Sequence, residues 1–144
     1  YEMARAFAVV ANGGRTVPMH GVQRIYDLGI CRSEKSLSTC PARGIFVPIG
    51  EKPQQLIEPE VARQMDGMLR LVVQIGTGRN AAVVADARGK TGTTNEGKDA
   101  WFIGYSPSKG ILTGIWLGND DNKPAEASAG ALAAQLWGTY MSRV

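Results

Sequence analysis

Apolar residues return along this chain with two different periods, and those periods divide it into elements. Over residues 2–12, Met3, Phe7 and Val10 recur at helical spacing, with Ala4, Ala8 and Ala11 beside them. Asn12-Gly13-Gly14, which tolerates positive φ, closes that helix. Over 15–27 the pattern turns extended through Thr16, Val17, Val22 and Ile25, broken by Pro18 and Gly21, and predicts a loose hairpin. Residues 28–57 keep no period. Charges, Ser, Gly and Pro separate short apolar patches such as Ile45-Phe46-Val47, so this is read as an irregular insertion loop with a short strand at most. The clearest helix covers 59–75. Pro59 suits its first position, where the missing N–H would have no partner anyway. Val61, Met65, Met68, Leu69, Val72 and Ile75 fall on one stripe, expected to pack into the core. Three apolar segments follow at 83–94, 99–107 and 111–119, joined by Asn95-Glu96-Gly97-Lys98 and Ser108-Lys109-Gly110. Links that short make antiparallel neighbours. An Ala-rich helix over 128–142 ends the pattern, with Leu132, Leu136, Trp137 and Tyr140 as its expected buried face. The fold class is therefore α+β: an antiparallel sheet of about three strands flanked by helices.

Composition narrows the function classes. A length of 144 residues suits one domain, and 44% apolar residues supply a core. The net charge of +3 is spread, without a basic block or basic–aromatic interleaving, so no nucleic-acid partner is expected. No run approaches the roughly 18 apolar residues of a membrane span, and no membrane contact is expected of this segment. Cys31 and Cys40 lack a Cys-x-x-Cys or a histidine cluster, so no metal is expected, and His20 reads as a surface or turn residue. The two cysteines either pair in an oxidising compartment or stay as thiols; the sequence leaves both open.

The informative run is Gly89-Lys90-Thr91-Gly92-Thr93-Thr94-Asn95. A Lys and three Thr around a Gly make a polar surface on a strand where an apolar one is usual. Gly in a strand leaves room for another backbone to approach, and an exposed strand edge pairs with extended peptides. Thr hydroxyls donate to carboxylates, and the ammonium adds positive charge. The run thus reads either as a site for an extended, anionic, peptide-like ligand or as an ordinary polar strand end. It is not a phosphate-binding loop, because the Gly-x-x-x-x-Gly-Lys spacing is absent.

Lys-Thr-Gly is also the third motif of β-lactamases and penicillin-binding proteins. The chain resembles the C-terminal part of the transpeptidase domain of class A penicillin-binding proteins. Matching strings occur in the family's order: Tyr1 to Ala4, Ala11 to Gly14, Val72-Val73 with Gly76-Thr77-Gly78, Gly89 to Asn95, Asp99 to Pro107, and Ile115 to Asp121. The resemblance covers nearly all of the chain apart from 28–57. It implies part of a peptidoglycan D,D-transpeptidase, working through an acyl-serine intermediate without a cofactor. The partners it implies are stem peptides, β-lactams and the N-terminal half of the same domain. The location it implies is outside the cytoplasmic membrane, in a membrane-anchored parent. Lys90 and Thr93 are the implied catalytic residues: Lys90 beside the nucleophile's proton network, Thr93 through its backbone N–H in the oxyanion hole. Thr91, Gly92, Thr93 and Thr94 are the implied substrate-binding residues. Asp99 is assigned a structural role at a strand start, and Trp101 and Trp116 are assigned to sheet packing.

The family's Ser-x-x-Lys helix and Ser-x-Asn loop do not appear where they belong and are expected before Tyr1. One literal match, Ser106-Pro107-Ser108-Lys109, falls in a turn between strands and reads as chance. Arg88 stands where a small residue is more usual, and Ala127-Ser128-Ala129-Gly130 where relatives commonly show a Gly pair. The second reading is a non-catalytic binding or interaction module that keeps the carboxylate-binding strand.

Overall fold

A computed structural model describes residues 1–18, 21–22, 25–27, 43–46, 52–121, 123–125 and 129–144. His20, Cys31 and Cys40, and with them the question of a disulfide, lie outside the described residues. The chain divides into two compact units, Tyr1–Val17 with Gln54–Val144, and Pro18–Pro53.

The larger unit holds α1 (Glu2–Ala11), α2 (Pro59–Gln74), α3 (Ala129–Met141) and a three-stranded antiparallel sheet. In the smaller unit β1 (Ile25–Asp27) pairs antiparallel with β2 (Arg43–Phe46). The sheet of the larger unit runs β3 (Arg88–Thr93), β4 (Asp99–Ser106) and β5 (Ile111–Gly118), in that spatial order. The α+β class expected from the hydrophobic periods is the one observed.

Four expectations need correction. The hairpin expected within 15–27 is not what the described residues form: Arg15 bridges to Gln55, while Ile25–Asp27 pairs with Arg43–Phe46. Pro18, which has no N–H to donate, stands between these two pairings. The first strand of the sheet starts at Arg88, not near 83. The preceding stretch coils tightly, with N–H groups of Ala81, Val84 and Ala87 each bonded to the carbonyl three residues back. Its buried residues, Ala81, Val84 and Ala87, therefore recur every third position, whereas the unbroken apolar run Ala81–Ala85 resembles a strand in the sequence.

The two long helices turn only part of the expected sides inward: Leu69 and Trp137 are buried as expected, the rest of each stripe is not. On α2 the buried residues are Ala62, Leu69 and Val73, whereas Val61, Met65, Met68 and Ile75 are exposed. On α3 they are Ala129, Ala133, Ala134, Trp137, Gly138 and Met141, and Leu132, Leu136 and Tyr140 stay outside. Small residues let α3 lie close on the stretch before β3, where a Cβ on Gly138 would come within 2.7 Å of Val83.

Strand alternation sorts the sheet into two faces. Phe102 points at α3, where its ring meets Trp137 edge-on at 5.3 Å. Trp137 in turn donates its Nε1–H to the carbonyl of Thr113 on β5, at 3.1 Å. Around this pair gather Val73, Ala81, Val84, Ala87, Ala133, Ala134 and Met141, with Ile111, Ile115 and Leu117 at the margin. On the opposite face, α1 brings Met3 and Phe7 towards Trp101 and Ile103.

Candidate functional site

The Lys90–Thr93 run lies on β3, whose far side has no strand partner among the described residues. Its register with β4 is continuous: Gly89 opposite Gly104, Lys90 opposite Ile103, Thr91 opposite Phe102, Gly92 opposite Trp101, Thr93 opposite Ala100. Opposite residues share a face, so Thr91 and Thr93 lie on the α3 face, and Lys90 and Gly92 on the α1 face. The shared side of the two threonines follows from strand alternation, as expected.

Each side chain of the run has a definite environment. The Thr91 hydroxyl is 2.6 Å from that of Thr77, in the turn that ends α2. Thr93 is exposed, and its hydroxyl lies 3.4 Å from the position a Cβ would take on Gly130. Lys90 is exposed, and its ammonium donates to the carbonyl of its own neighbour Thr91 at 2.7 Å. Thr94 is committed to the strand end. Its hydroxyl donates to Asp99 Oδ2 at 3.1 Å and accepts the Asp99 backbone N–H at 2.8 Å. Asp99 also accepts the Trp116 indole N–H at 2.8 Å. The carboxylate thus fastens both ends of the β3–β4 connection to β5. Trp101 and Trp116 are opposite one another, with rings 6.3 Å apart.

Lys90, Thr91 and Gly92 line a cleft of about 220 Å³ with Met3, Phe7, Trp101 and Ile103. Ligand pockets run to roughly 300–1,000 Å³, so the cleft is smaller than a full pocket. Trp101 therefore borders the candidate strand as well as packing on the sheet.

Residues not foreseen as functional hold β3 in place. Asp66 on α2 accepts Arg88 Nε at 3.1 and 3.2 Å and the Tyr105 hydroxyl at 2.7 Å. Arg88 also donates to the carbonyl of Asp86. Burial first, then the bond to Asp66 and its charge, raise the pKa of the Tyr105 phenol, which Arg88 opposes. Asp66 offered no signal beyond being an acid on a helix. Thr77 did carry one, a polar residue between two glycines.

The literal Ser106-to-Lys109 match does not form a catalytic pair. Ser106 is 1% exposed, and its Oγ donates to Asp86 Oδ1 at 2.6 Å. Lys109 points elsewhere, donating to the Val144 carbonyl at 2.8 Å. Among the described residues no cluster of His, Cys, Asp and Glu has the makings of a metal site, and no helix is long and apolar enough to cross a membrane.

Comparison with known proteins places this geometry. The penicillin binding protein transpeptidase domain family matches residues 1–142. Penicillin-binding protein 1A of Neisseria gonorrhoeae is 35% identical over 145 residues, covering 97% of this chain and 17% of that protein. Penicillin-binding protein 1B of Vibrio cholerae is 29% identical over 144 residues, again covering 17% of its length. The chain thus spans about a sixth of the curated relatives it matches. Among solved structures, penicillin-binding protein 1A from Haemophilus influenzae shares the fold with a TM-score of 0.78 at 23% identity, covering 99% of this chain and 25% of that one. An imipenem acyl-enzyme complex of penicillin-binding protein A from M. tuberculosis does so at 0.72 and 19% identity, covering 96% and 29%. With the match running through the strand, its turn and all three helices, the chain belongs to the penicillin-binding protein transpeptidase domain family.

Proposed function

We propose that this chain is the C-terminal portion of a peptidoglycan D,D-transpeptidase, and that β3 is the wall on which stem peptides and β-lactams are held. The observation that carries this is the Lys90–Thr93 run on a strand whose outer edge has no strand partner among the described residues, in a chain of this family. An extended peptide adds to such an edge through backbone hydrogen bonds, and Gly92 leaves room for it. Thr91 and Thr93 present two hydroxyls on one face for a terminal carboxylate. The Thr93 N–H supplies one donor to a developing oxyanion. Lys90 is long enough to leave the Thr91 carbonyl and turn towards a serine. Thr94, held by Asp99, fixes the strand end rather than touching the ligand.

The nucleophile comes from outside these residues. The serine attacks the D-Ala-D-Ala carbonyl, D-Ala leaves, and an amine of a second stem peptide takes the acyl group from the serine ester. The exposed stripes on α2 and α3 support a covering partner, which this reading assigns to the rest of the same domain. A parent anchored at the outer side of the cytoplasmic membrane fits the same chemistry, since its substrate is the cell wall.

The test is intact-mass measurement of the full-length protein that carries this segment, after exposure to a reactive penicillin. One covalent adduct per chain, mapped to a serine outside residues 1–144, is expected. A full-length protein that forms no adduct overturns the reading in favour of a non-catalytic module.

A further inference from the structure

We propose that Thr77 is a positioning residue for the carboxylate of the ligand, acting through the hydroxyl of Thr91. The inference rests on the transpeptidase reading of β3 and adds to it a residue outside the strand. Two independent features carry it. The first is the hydroxyl pair itself, 2.6 Å apart, joining the end of α2 to the middle of β3. A threonine hydroxyl has one proton and two acceptor lone pairs. When Thr77 donates to Thr91, the Thr91 proton is left to point outward, towards an anion. Without Thr77, the Thr91 hydroxyl is free to rotate, and part of its donor capacity is lost to other directions.

The second feature is the rigidity of the turn that presents Thr77. The chain folds back on the last turn of α2: the N–H of Gly76 reaches the carbonyls of Leu71 and Val72, and the N–H of Gly78 reaches that of Val72. This return path leaves no room for side chains on either flank. A Cβ on Gly76 would stand 2.9 Å from the backbone of Val72, and one on Gly78 would stand 3.1 Å from the Phe102 ring and 3.3 Å from the Val72 side chain. Thr77 is thus the one residue of this turn with a side chain, and it is exposed on the side of β3 where Thr91 lies. The turn rests on Phe102, and Phe102 is the β4 residue opposite Thr91. The same ring therefore fixes the spacing of both threonines.

The chemistry sets what is lost. Thr77 touches no ligand atom, so its removal costs the orientation of one donor, a neutral hydrogen bond of about 0.5–1.5 kcal/mol, or about two- to ten-fold in acylation. The loss falls on ligands with a carboxylate and spares those whose carboxylate is masked.

The experiment measures second-order acylation rates of the full-length protein by a penicillin and by its methyl ester. Thr77→Val is expected to slow the free acid about two- to ten-fold and to leave the ester unchanged. Thr77→Ser, which keeps the hydroxyl, is expected to restore the rate. Thr77→Val combined with Thr91→Val is expected to be no slower than Thr91→Val alone. An unchanged rate with the free acid in Thr77→Val overturns the role of Thr77 alone. So does an equal loss on acid and ester, or an additive double variant. Failure of the unaltered protein to react with the penicillin at all overturns the transpeptidase reading, and this inference with it.

Discussion

Arg88, the first residue of β3, donates through Nε to both carboxylate oxygens of Asp66 on α2, at 3.1 and 3.2 Å. This ion pair ties the candidate strand to a helix. Only 14% of the Arg88 side chain and 31% of that of Asp66 remain exposed, so water screens the pair less than a surface bridge. Removing one partner leaves the other partly desolvated and without its counter-charge. Asp66→Asn is therefore expected to lower stability by about 1–3 kcal/mol, and Tyr105→Phe, which deletes one hydrogen bond, by about 1. Urea unfolding of the two variants decides it. A midpoint for Asp66→Asn equal to the unaltered protein contradicts the clamp.

The same cluster gives a dependence on alkali. The Tyr105 phenol has its pKa raised by burial and by Asp66. A raised folded-state value means that its contribution is fully present below about pH 10, the ordinary tyrosine value, and is lost as pH rises beyond it. The stability difference between the unaltered protein and Tyr105→Phe is expected to be constant from about pH 6 to 9 and to shrink above about 10. A difference that grows with pH over that upper range has the wrong sign for this account.

Gly89 precedes Lys90 for a steric reason. A Cβ there would stand 2.4 Å from the Phe102 ring and 2.8 Å from the Ile103 carbonyl, and its opposite residue Gly104 is as crowded. The Gly89–Gly104 pair opens the space that the Phe102 ring fills. Gly89→Ala is expected to cost about 1–3 kcal/mol by forcing β3 away from β4. It should also slow penicillin acylation, since Lys90 and Thr91 move with the strand. Thermal unfolding and acylation rates measured together check both. A stable variant with an unchanged rate rules the steric account out.

How far the site was legible depends on which signals are local. The strand that carries Lys90–Thr93, its antiparallel partner and the helix ends all sit in short windows, and those elements read correctly. The inward faces of α2 and α3 did not. Ranking large apolar residues as buried chose Met65, Met68, Leu132 and Leu136, which lie outside, over Ala62, Ala133 and Ala134, which lie inside. Close helix–sheet approach selects small residues, and only the tertiary distance reveals that. The pairings of Asp66 and Thr77 escaped for a related reason. Their partners, Arg88 and Thr91, are 22 and 14 residues away, too far for spacing to signal.

The strand's chemistry separates by residue. On the proposed reading of β3, Thr93→Val keeps the branched shape and removes one hydrogen bond to a charged carboxylate. The expected loss is about 1.5–3 kcal/mol in acylation by a penicillin, about ten- to more than a hundred-fold. Lys90→Ala is expected to cost more, because on the same reading it removes a charge beside the nucleophile as well as a binding group. Acylation rates of the full-length variants, with circular dichroism to confirm folding, test the order. A folded Thr93→Val with an unchanged rate takes that hydroxyl out of the site.

Ser106 is the one serine here in a literal Ser-x-x-Lys string, and it is expected to stay unmodified. Attack on a β-lactam needs an exposed hydroxyl and a base able to take its proton. Ser106 is buried, and its hydroxyl already donates to Asp86. Partial burial pushes the Asp86 carboxyl up, but hydrogen bonds from Ser106 and Ser108 outweigh it and hold it below its ordinary value. A carboxylate made more acidic is a poorer base, so the bond that fixes Ser106 also withholds activation. Lys109, the other half of the string, is engaged with the Val144 carbonyl. Ser106 and Asp86 act instead as a fastener: Asp86 also accepts the Ser108 N–H at 2.8 Å, pinning the β4–β5 turn to the stretch before β3. Peptide mapping of the penicillin-treated full-length protein is expected to find residues 1–144 unlabelled, and Ser106→Ala still to form one adduct per chain. An adduct on Ser106, or its disappearance in a folded Ser106→Ala, would place the nucleophile in this turn against every contact described here.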